Sequence, residues 1–316
     1  MTYMVGGIDV LLATYNGESY LDEQLRSVLE QVGPGDRLLV RDDRSSDGTP
    51  GLLAEYAARY PHTLVLIDDR AGHLGAGASF ATLLDHAEAP YVMFCDQDDV
   101  WLPGKMARTA ARMDETQQRC GGGPVLVHTD LVVVDRSLRP LADSFWRYQH
   151  LDPVRGRAFN RLLVQNIATG CTIMINRALL ERAAPLPRQS VLHDWWLALV
   201  AAAFGCLEFL PEATVLYRQH ADNRVGARRS NPLALVGRAF DRHRWSEYAR
   251  RLRMSQTQAA AFVKRFGDQL RPEHRGAVQA YAEIRKHGFL QRRQLLLRHG
   301  LCKPGWLRNL GLFARI

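Results

Sequence analysis

Three carboxylates stand together directly after a short apolar run, and they are the clearest sign of chemistry in the sequence. The run from Tyr91 to Cys95 is typical of a buried strand, and Asp96, Asp98 and Asp99 follow it at once. Carboxylates are costly to bury without a partner, so this strand end is predicted to face a cation or a polyhydroxyl ligand. Hard oxygen ligands favour Mg²⁺ or Mn²⁺. A polar loop with an Asx turn is the alternative that these residues alone leave open.

Two earlier apolar runs also end in polar residues. Residues 8–13 lead into the turn Thr14-Tyr15-Asn16-Gly17, and residues 37–40 lead into a loop that contains Asp42 and Asp43. Segments with helical apolar spacing separate these strands, and the connections are short, which predicts an α/β fold with a mostly parallel sheet and crossover helices. Ligands bind at the carboxyl ends of the strands in such sheets, so we expect a nucleotide there.

Further along the chain, Asp194 lies at the start of a predicted helix whose apolar run extends from Trp195 to Phe204. A carboxylate in a first turn is favoured by the helix dipole, and this is the simplest explanation of that residue taken alone. Residues 217–223 form a polar cluster. The glycines of residues 72–77 fit neither the Rossmann fingerprint nor a Walker loop, because the spacing is wrong for the first and no Gly-Lys-Ser/Thr follows for the second.

The composition is that of a soluble globular protein, large enough for one large α/β domain with an appendage or for two domains. The 316 residues are 47% hydrophobic and 23% charged. The five cysteines have no paired spacing, which predicts a reducing compartment and no structural zinc site. Asp9 interrupts the first apolar run, so no signal peptide is predicted, and no apolar run reaches the length of a membrane-spanning helix. We therefore expect a cytoplasmic protein.

The charge is divided unevenly along the chain. Residues 1–225 carry 21 Lys and Arg against 28 Asp and Glu, whereas residues 226–316 carry 20 against 5. Within the basic part, Tyr248, Leu252, Ala259, Phe262 and Phe266 fall on one helical stripe. Basic amphipathic helices predict peripheral contact with the inner face of the cell membrane. An appendage that packs on the body with a solvated basic face is the equal alternative. We predict two domains, residues 1–225 and residues 226–316.

Taken together, these motifs resemble the family 2 glycosyltransferases with the GT-A fold, in particular the rhamnosyltransferase-like and polysaccharide-building members. The resemblance covers roughly residues 7–225. It is carried by five segments that occur in the family's order: Leu11 to Gly17, Asp42 to Thr49, Asp96-Gln97-Asp98-Asp99, Thr169-Gly170-Cys171 with His193-Asp194-Trp195, and Tyr217-Arg218-Gln219-His220 with Asn223. The resemblance implies a central sheet with helices on both faces. It also implies an inverting, metal-dependent transfer of a sugar from a nucleoside diphosphate donor, dTDP-rhamnose or a UDP-sugar, to a hydroxyl of a glycan or lipid-linked acceptor.

The resemblance also implies a role for each matched residue. Asp194 is the expected general base. The expected donor-binding residues are Thr14, Tyr15, Asn16, Asp42, Asp43, Asp96, Gln97 and Arg218. The expected ligands of Mn²⁺ or Mg²⁺ are Asp98, Asp99 and His220. The expected acceptor loop is Thr169, Gly170, Cys171 and Trp195.

The sequence differs from the family at one position, and other functions fit some of the same residues. Many members of the family place Glu before the catalytic Asp, and here that position is His193. A strand end held structurally by Tyr217 and Arg218 is the alternative to donor binding by Arg218. A glycoside hydrolase would use paired carboxylates without a nucleotide, and a sugar nucleotidyltransferase would need a glycine-rich loop near the first strand. No recognised nucleic-acid motif is present, so we expect no nucleic-acid partner despite the basic tail.

Overall fold

The structure is a computed structural model, and it describes residues 7–187, 190–220, 242–303 and 306–316. The chain divides into two compact units. Unit 1 comprises Met1–Phe145, Ala168–Pro185 and Cys206–Gly226, and unit 2 comprises Trp146–Ile167, Leu186–Gly205 and Ala227–Ile316. The domain boundary predicted at residue 225 lies outside the described residues and stays a prediction.

Unit 1 contains the sheet. Its strands are β1 (Ile8–Thr14), β2 (Arg37–Asp42), β3 (Leu64–Leu66), β4 (Tyr91–Asp96), β5 (Val100–Trp101), β6 (Val125–Val134), β7 (Pro140–Ala142), β8 (Met174–Asn176) and β9 (Cys206–Arg218). The order is β3-β2-β1-β4-β8-β6-β9-β5, and β7 pairs with β6. The first four strands in this order are parallel, as predicted. Beyond β4 the sheet is mixed, because β8 pairs antiparallel with both β4 and β6 while β6 and β9 are parallel.

Helices connect these strands. In unit 1 they are α1 (Glu18–Leu29), α2 (Thr49–Arg59), α3 (Ala76–Asp85), α4 (Lys105–Arg119) and α8 (Arg177–Ala183), and α5 (Phe145–Tyr148) spans the division between the units. The apolar faces expected from helical spacing are buried, since Leu21, Leu25 and Val28 of α1 have no exposed surface. The predicted α/β class is therefore confirmed.

Two local features depend on the pairing of β6 with β9. The strand β9 is continuous over residues 206–218, because this pairing continues through register shifts between Thr129, Asp130 and Val132. Cys120 and Cys206 form a disulfide across 86 residues. The spacing of the cysteines in sequence does not indicate this pair, because their proximity depends on strand pairing, which places Cys206 opposite Val125.

Unit 2 is helical. It contains α6 (Pro153–Gly156), α7 (Phe159–Leu162), α9 (His193–Phe204), α10 (Arg242–Phe266), α11 (Pro272–Glu283), α12 (Phe289–Arg298) and α13 (Trp306–Arg315). The ring centroids of Trp196 and Phe262 lie 5.2 Å apart, and those of Phe204 and Phe266 lie 5.1 Å apart, so α10 packs on α9 through the predicted stripe. Among the described residues, no helix is both long and apolar enough to cross a bilayer.

Candidate active site

Strand register brings the first three polar segments to one edge of the sheet. Thr14 lies opposite Asp42, and Ala13 lies opposite Asp96. The loops beyond these strands are joined by hydrogen bonds, since the Tyr15 amide donates to Oε1 of Gln97 (2.7 Å) and Nε2 of Gln97 donates to the Tyr15 carbonyl (3.0 Å). The predicted convergence of strand ends is therefore confirmed in unit 1.

The two adjacent acids after β2 have different environments. Asp43 is buried, and its carboxylate accepts hydrogen bonds from the amides of Leu74 and Gly75 (2.7 Å each) and from Nη1 of Arg41 (2.7 Å). Burial by itself would raise the pKa of Asp43, but the hydrogen bonds from Leu74, Arg41 and Gly75 outweigh it and lower that pKa. Asp43 therefore holds the glycine-rich loop in place.

Asp42 remains accessible at the sheet edge. It is half-buried and accepts from the Thr14 hydroxyl (2.9 Å) and from the amide and hydroxyl of Ser45 (2.9 and 2.6 Å). Tyr15, which follows Thr14, is 46% exposed, and its ring centroid lies 4.5 Å from that of His73. An exposed aromatic face and a carboxylate on joined strand ends are suited to a planar heterocycle with N–H groups.

Asn16 links two loops in the same region by hydrogen bonds. Its φ of 49° lies in the left-handed region, which Asn tolerates better than most residues. Its amide donates to the Ser45 hydroxyl, and its side-chain oxygen accepts from the Ser46 amide, both at 2.8 Å. Asn16 therefore ties the loop after β1 to the loop after β2.

The three acids after β4 point to different partners. Oδ2 of Asp98 lies 2.7 Å from Nε2 of His220. Asp99 is fully buried, its Oδ1 accepts from the Arg218 amide (3.1 Å), and its Oδ2 accepts no hydrogen bond within the described residues. Ligand atoms of Asp96, Asp99 and Cys171 lie within 4.8 Å of one another. Burial and then the charges of Asp98 and Asp96 raise the pKa of Asp99 well above its usual range.

These residues fit a divalent cation. A buried carboxylate oxygen without a donor, beside two other carboxylates, is stabilised by a nearby positive charge. Asp98 and Asp96 are half-buried, and the imidazole of His220, whose side chain is 8% exposed, lies against Asp98. Oxygen and imidazole ligands suit Mn²⁺, and carboxylates also suit Mg²⁺.

Arg218 lies in an enclosed setting. Its side chain is 3% exposed and donates from Nε to the Asp98 carbonyl (2.8 Å) and from Nη1 to the Arg136 carbonyl (2.6 Å), and it pairs with the Glu23 carboxylate. Its guanidinium carbon lies 4.7 Å from the centroid of the Tyr20 ring. This environment favours the structural alternative for Arg218 over direct contact with a donor diphosphate.

Sequence reasoning missed Tyr20 and Glu23. Both lie on α1, and the Tyr20 ring centroid is also 5.0 Å from that of His220. Their positions carry no motif, so only the burial of Arg218, a cation that needs a counter-ion, could have suggested a partner of this kind. Asn223, the last residue of the predicted closing motif, lies outside the described residues.

The predicted acceptor residues are divided between the units, because Thr169, Gly170 and Cys171 lie in unit 1 and Trp195 lies in unit 2. Thr169 precedes the 3-10 turn Gly170–Thr172, and its carbonyl accepts from the Thr172 amide (2.9 Å). Gly170 and Cys171 are buried. Burial, with the neighbouring charges of Asp99 and Asp96, raises the pKa of the Cys171 thiol, so this residue lies behind the acids as a protonated thiol.

Asp194 belongs to unit 2. It is 5% exposed in the first turn of α9, and its Oδ1 accepts from the Trp195 amide (2.5 Å). Nε1 of Trp195 donates to the Leu162 carbonyl (2.6 Å), and the Val191 amide donates to Oε1 of Gln258 (2.8 Å), so both sides of Asp194 are fastened within unit 2. Burial lowers the pKa of His193 to about 3, which leaves that neighbour uncharged.

The sheet with its acidic edge is that of a glycosyltransferase with the GT-A fold. The family described as glycosyl transferase family 2 matches residues 9–183, and the chain belongs to this family. Its solved structural neighbours share the GT-A fold. The TarS fragment of S. aureus, solved with UDP-GlcNAc, has a TM-score of 0.57 at 17% identity over 93% of this chain and 89% of that one. The mannosyltransferase PcManGT of Pyrobaculum calidifontis, solved with GDP-Man and Mn²⁺, has a TM-score of 0.55 at 19% identity over 93% and 72%.

Sequence relatives are named for related chemistry. The dTDP-rhamnosyl transferase RfbG of Shigella flexneri is 27% identical over 74% of this chain and 80% of its own length. The glucosyltransferase WfgD of Escherichia coli, named for UDP-Glc and a GlcNAc-diphosphoundecaprenol acceptor, is 25% identical over 55% and 62%. The chain spans 59% of the length of three mycobacterial relatives that are 28% identical to it over 68% of this chain.

Proposed function

We propose that this chain is an inverting, metal-dependent glycosyltransferase that moves a sugar from a nucleoside diphosphate donor to a hydroxyl of a glycan or lipid-linked acceptor. The observation that carries the proposal is the pairing of Asp98 with His220 (2.7 Å) next to the buried carboxylate of Asp99, in a member of family 2. A glycoside hydrolase would use paired carboxylates but needs neither a metal nor a nucleotide pocket, so metal-dependent nucleotide binding separates the two functions.

The residues that would hold the cation are Asp98, Asp99 and His220, with Asp96 beside them in sequence. A bound divalent cation would neutralise the negative charge that grows on the diphosphate as it leaves. The chain's own residues prepare this position. Arg218 fixes the backbone carbonyl of Asp98 (2.8 Å), and its amide holds Asp99 (3.1 Å), so two of the acids are oriented before a ligand arrives.

The nucleoside would lie on the Tyr15–Gln97 pair. Tyr15 offers an exposed ring for stacking, and Asp42 offers a carboxylate that can accept from a pyrimidine N–H. Because Asp43 is occupied by the amides of Leu74 and Gly75, Asp42 is the stronger of the two candidates for contact with the base. Thr14 supports it through the 2.9 Å hydrogen bond, and Asn16 shapes the loop.

The general base would be Asp194. The acceptor hydroxyl must lose a proton as it attacks the anomeric carbon, and a carboxylate that takes this proton performs that step. Thr169, Gly170, Cys171 and Trp195 are proposed for the acceptor side, with the buried Gly170 and Cys171 shaping the loop and the half-buried Thr169 and Trp195 available for contact.

The donor would be dTDP-rhamnose or a UDP-sugar, and the product a surface polysaccharide or its lipid-linked precursor. The printed names of RfbG and WfgD support these two donor classes and a lipid-linked acceptor. Their identity to this chain, 27% and 25%, supports a shared type of reaction more strongly than a shared sugar.

The test is nucleotide binding by thermal shift, with UDP, dTDP, GDP and CDP, each with and without Mn²⁺. We expect one nucleotide to raise the unfolding temperature only when Mn²⁺ is present. Asp98→Asn should abolish that increase, whereas Asp85→Asn, at an exposed aspartate of α3, should keep it. Absence of any nucleotide effect in the wild-type protein with Mn²⁺ would overturn the proposal.

A further inference from the structure

Helix α12 presents large apolar side chains to solvent. Phe289, Leu290 and Leu297 are 69%, 74% and 65% exposed, although the same helix buries Leu296 completely. Leu290 and Leu297 are seven residues apart and therefore lie on one face of the helix. Because Leu296 already anchors α12 within unit 2, the exposed side chains are not needed for packing, and an apolar face of this kind is typical of an interaction site.

Cations outnumber acids around this face. Residues 283–316 include eight Lys and Arg and one acid, Glu283, which pairs with Lys286 (2.6 Å). Arg285, Lys286 and Arg298 are exposed beside the apolar residues, and the Arg293 guanidinium packs over the Phe289 ring while Nη1 donates to the Phe289 carbonyl (2.7 Å). We define the α12 patch by its exposed members, which are Arg285, Lys286, Phe289, Leu290, Leu297 and Arg298.

We propose that the α12 patch binds the surface of an anionic lipid bilayer. Burial of Phe and Leu side chains at the boundary between head groups and acyl chains is favourable, and so is the attraction of Arg and Lys to anionic head groups. The patch supplies both classes of side chain on α12 and on the 3-10 turn Ile284–Lys286 that precedes it. The proposal stands apart from the transferase reaction, since it concerns where the chain is held and not what it catalyses.

Two other partners fit the patch less well. A second copy of the chain would bring eight further cations of residues 284–316 against the first eight, with no acid in that segment to pair with them. A nucleic acid would pair with the cations, but the aliphatic side chains of Leu290 and Leu297 offer no stacking surface to a base. The combination of charge with aliphatic exposure therefore favours lipid.

The test is co-sedimentation of the full chain with vesicles. The two probes are pure phosphatidylcholine and mixed phosphatidylcholine–phosphatidylglycerol vesicles, at low and at raised salt. We expect strong binding to the mixed vesicles, weak binding to the neutral ones, and a decrease in binding as salt rises. An absence of binding to the mixed vesicles would overturn the proposal.

Two variants separate the contribution of the cations to vesicle binding from that of the apolar side chains. Arg285→Gln/Lys286→Gln/Arg298→Gln should weaken binding to the anionic vesicles about a hundredfold, since each cation near such a surface contributes about fivefold. Phe289→Ser/Leu290→Ser/Leu297→Ser should weaken it at least about tenfold and remove the part of the binding that resists salt. All six side chains are exposed or at the helix start, so both variants should keep the wild-type unfolding temperature.

Matched controls lie in unit 1. Arg59→Gln/Arg70→Gln/Arg139→Gln removes the same charge from exposed sites, and Leu66→Ser/Leu141→Ser removes exposed leucines; both should leave vesicle binding within about twofold. Equal losses in patch and control variants would overturn the proposal. So would a wild-type dimer that the apolar variant turns into a monomer in light scattering, or a short duplex DNA that outcompetes the anionic vesicles for the wild-type chain.

Discussion

Nε2 of His220 lies 2.7 Å from Oδ2 of Asp98, although the two residues are 122 positions apart. Strand pairing produces this contact. Val100 of β5 pairs antiparallel with Leu216 of β9, so the residues that precede Val100 and those that follow Leu216 lie at the same end of the pair. The Arg218 side chain adds a second link through the Asp98 carbonyl. An acid and an imidazole are therefore held together by the fold, and not by the proximity of one motif to another in sequence.

The first prediction concerns the imidazole. His220→Ala should weaken Mn²⁺ binding about a hundredfold or more, because it removes a nitrogen donor from the proposed site. Mn²⁺ titration followed by electron paramagnetic resonance measures this affinity. His86→Ala, at an exposed histidine of unit 1, is the control and should bind Mn²⁺ as the wild type does. An unchanged Mn²⁺ affinity in His220→Ala would remove His220 from the ligand set.

The second prediction concerns Glu23, which pairs with the buried Arg218. Glu23→Ala should weaken Mn²⁺ binding about tenfold, because an uncompensated guanidinium would shift and release the Asp98 carbonyl. Glu23→Gln keeps a hydrogen-bond acceptor and should retain part of the affinity. Glu30→Ala, at an exposed position of the same helical segment, should have no effect. A lower unfolding temperature with unchanged Mn²⁺ affinity would leave Glu23 with a role in stability alone.

The third prediction concerns Asp194. Asp194→Asn should lower the rate of sugar transfer by about a hundredfold to ten-thousandfold, because an amide cannot accept the proton of the acceptor hydroxyl. The affinity for the donor nucleotide with Mn²⁺ should stay within about twofold of the wild type. Asp268→Asn, at an aspartate of unit 2 with 95% side-chain exposure, should transfer at the wild-type rate. Retained transfer in Asp194→Asn would assign the base elsewhere.

The fourth prediction concerns Asp9, whose carboxylate is fully buried. Burial by itself would raise its pKa, but Nε and Nη2 of Arg37 (2.8 and 2.9 Å) and the amides of Ala89 and Glu88 lower it below the usual 3.8. A pKa lowered by folding means that the unfolded chain binds more protons between the two values. The stabilisation from Asp9 is therefore complete above about pH 4 and is lost as the pH falls through the lowered pKa.

Urea unfolding of Asp9→Asn measures this contribution. At pH 7 the variant should lose about 3 kcal/mol of unfolding free energy, because Arg37 loses its buried ionic partner and keeps the exposed Glu88. At a pH well below the lowered pKa the difference from wild type should shrink, since Asp9 is then neutral in both states. A difference that is equal at both pH values would show that the charge of Asp9 does not matter.

The sequence predicted those parts of the fold that depend on local pattern. The strands β1, β2 and β4, the start of α9 at His193 and the α10 stripe all follow from apolar spacing and from the residues that end each run. The polar residues of the sheet edge were also predicted, because parallel strands bring their carboxyl ends to one side.

The sequence could not separate neighbours with the same chemistry. Asp42 and Asp43 are adjacent acids, yet strand alternation places one at the accessible edge and turns the other towards Arg41 and the amides of the glycine-rich loop. The pairing of Arg218 with Glu23 spans 195 residues and depends on the fold of the whole of unit 1. The same holds for the Cys120–Cys206 disulfide.

The make-up of unit 2 has a consequence for how such enzymes can diversify. Three separate stretches of chain build it, and α9, which carries Asp194, rests on α10 through Trp196 and Phe262. The C-terminal helices are therefore part of the same packed unit as α9. Replacing these helices with those of a relative would change the surface on which α9 packs, and with it the position of the proposed base.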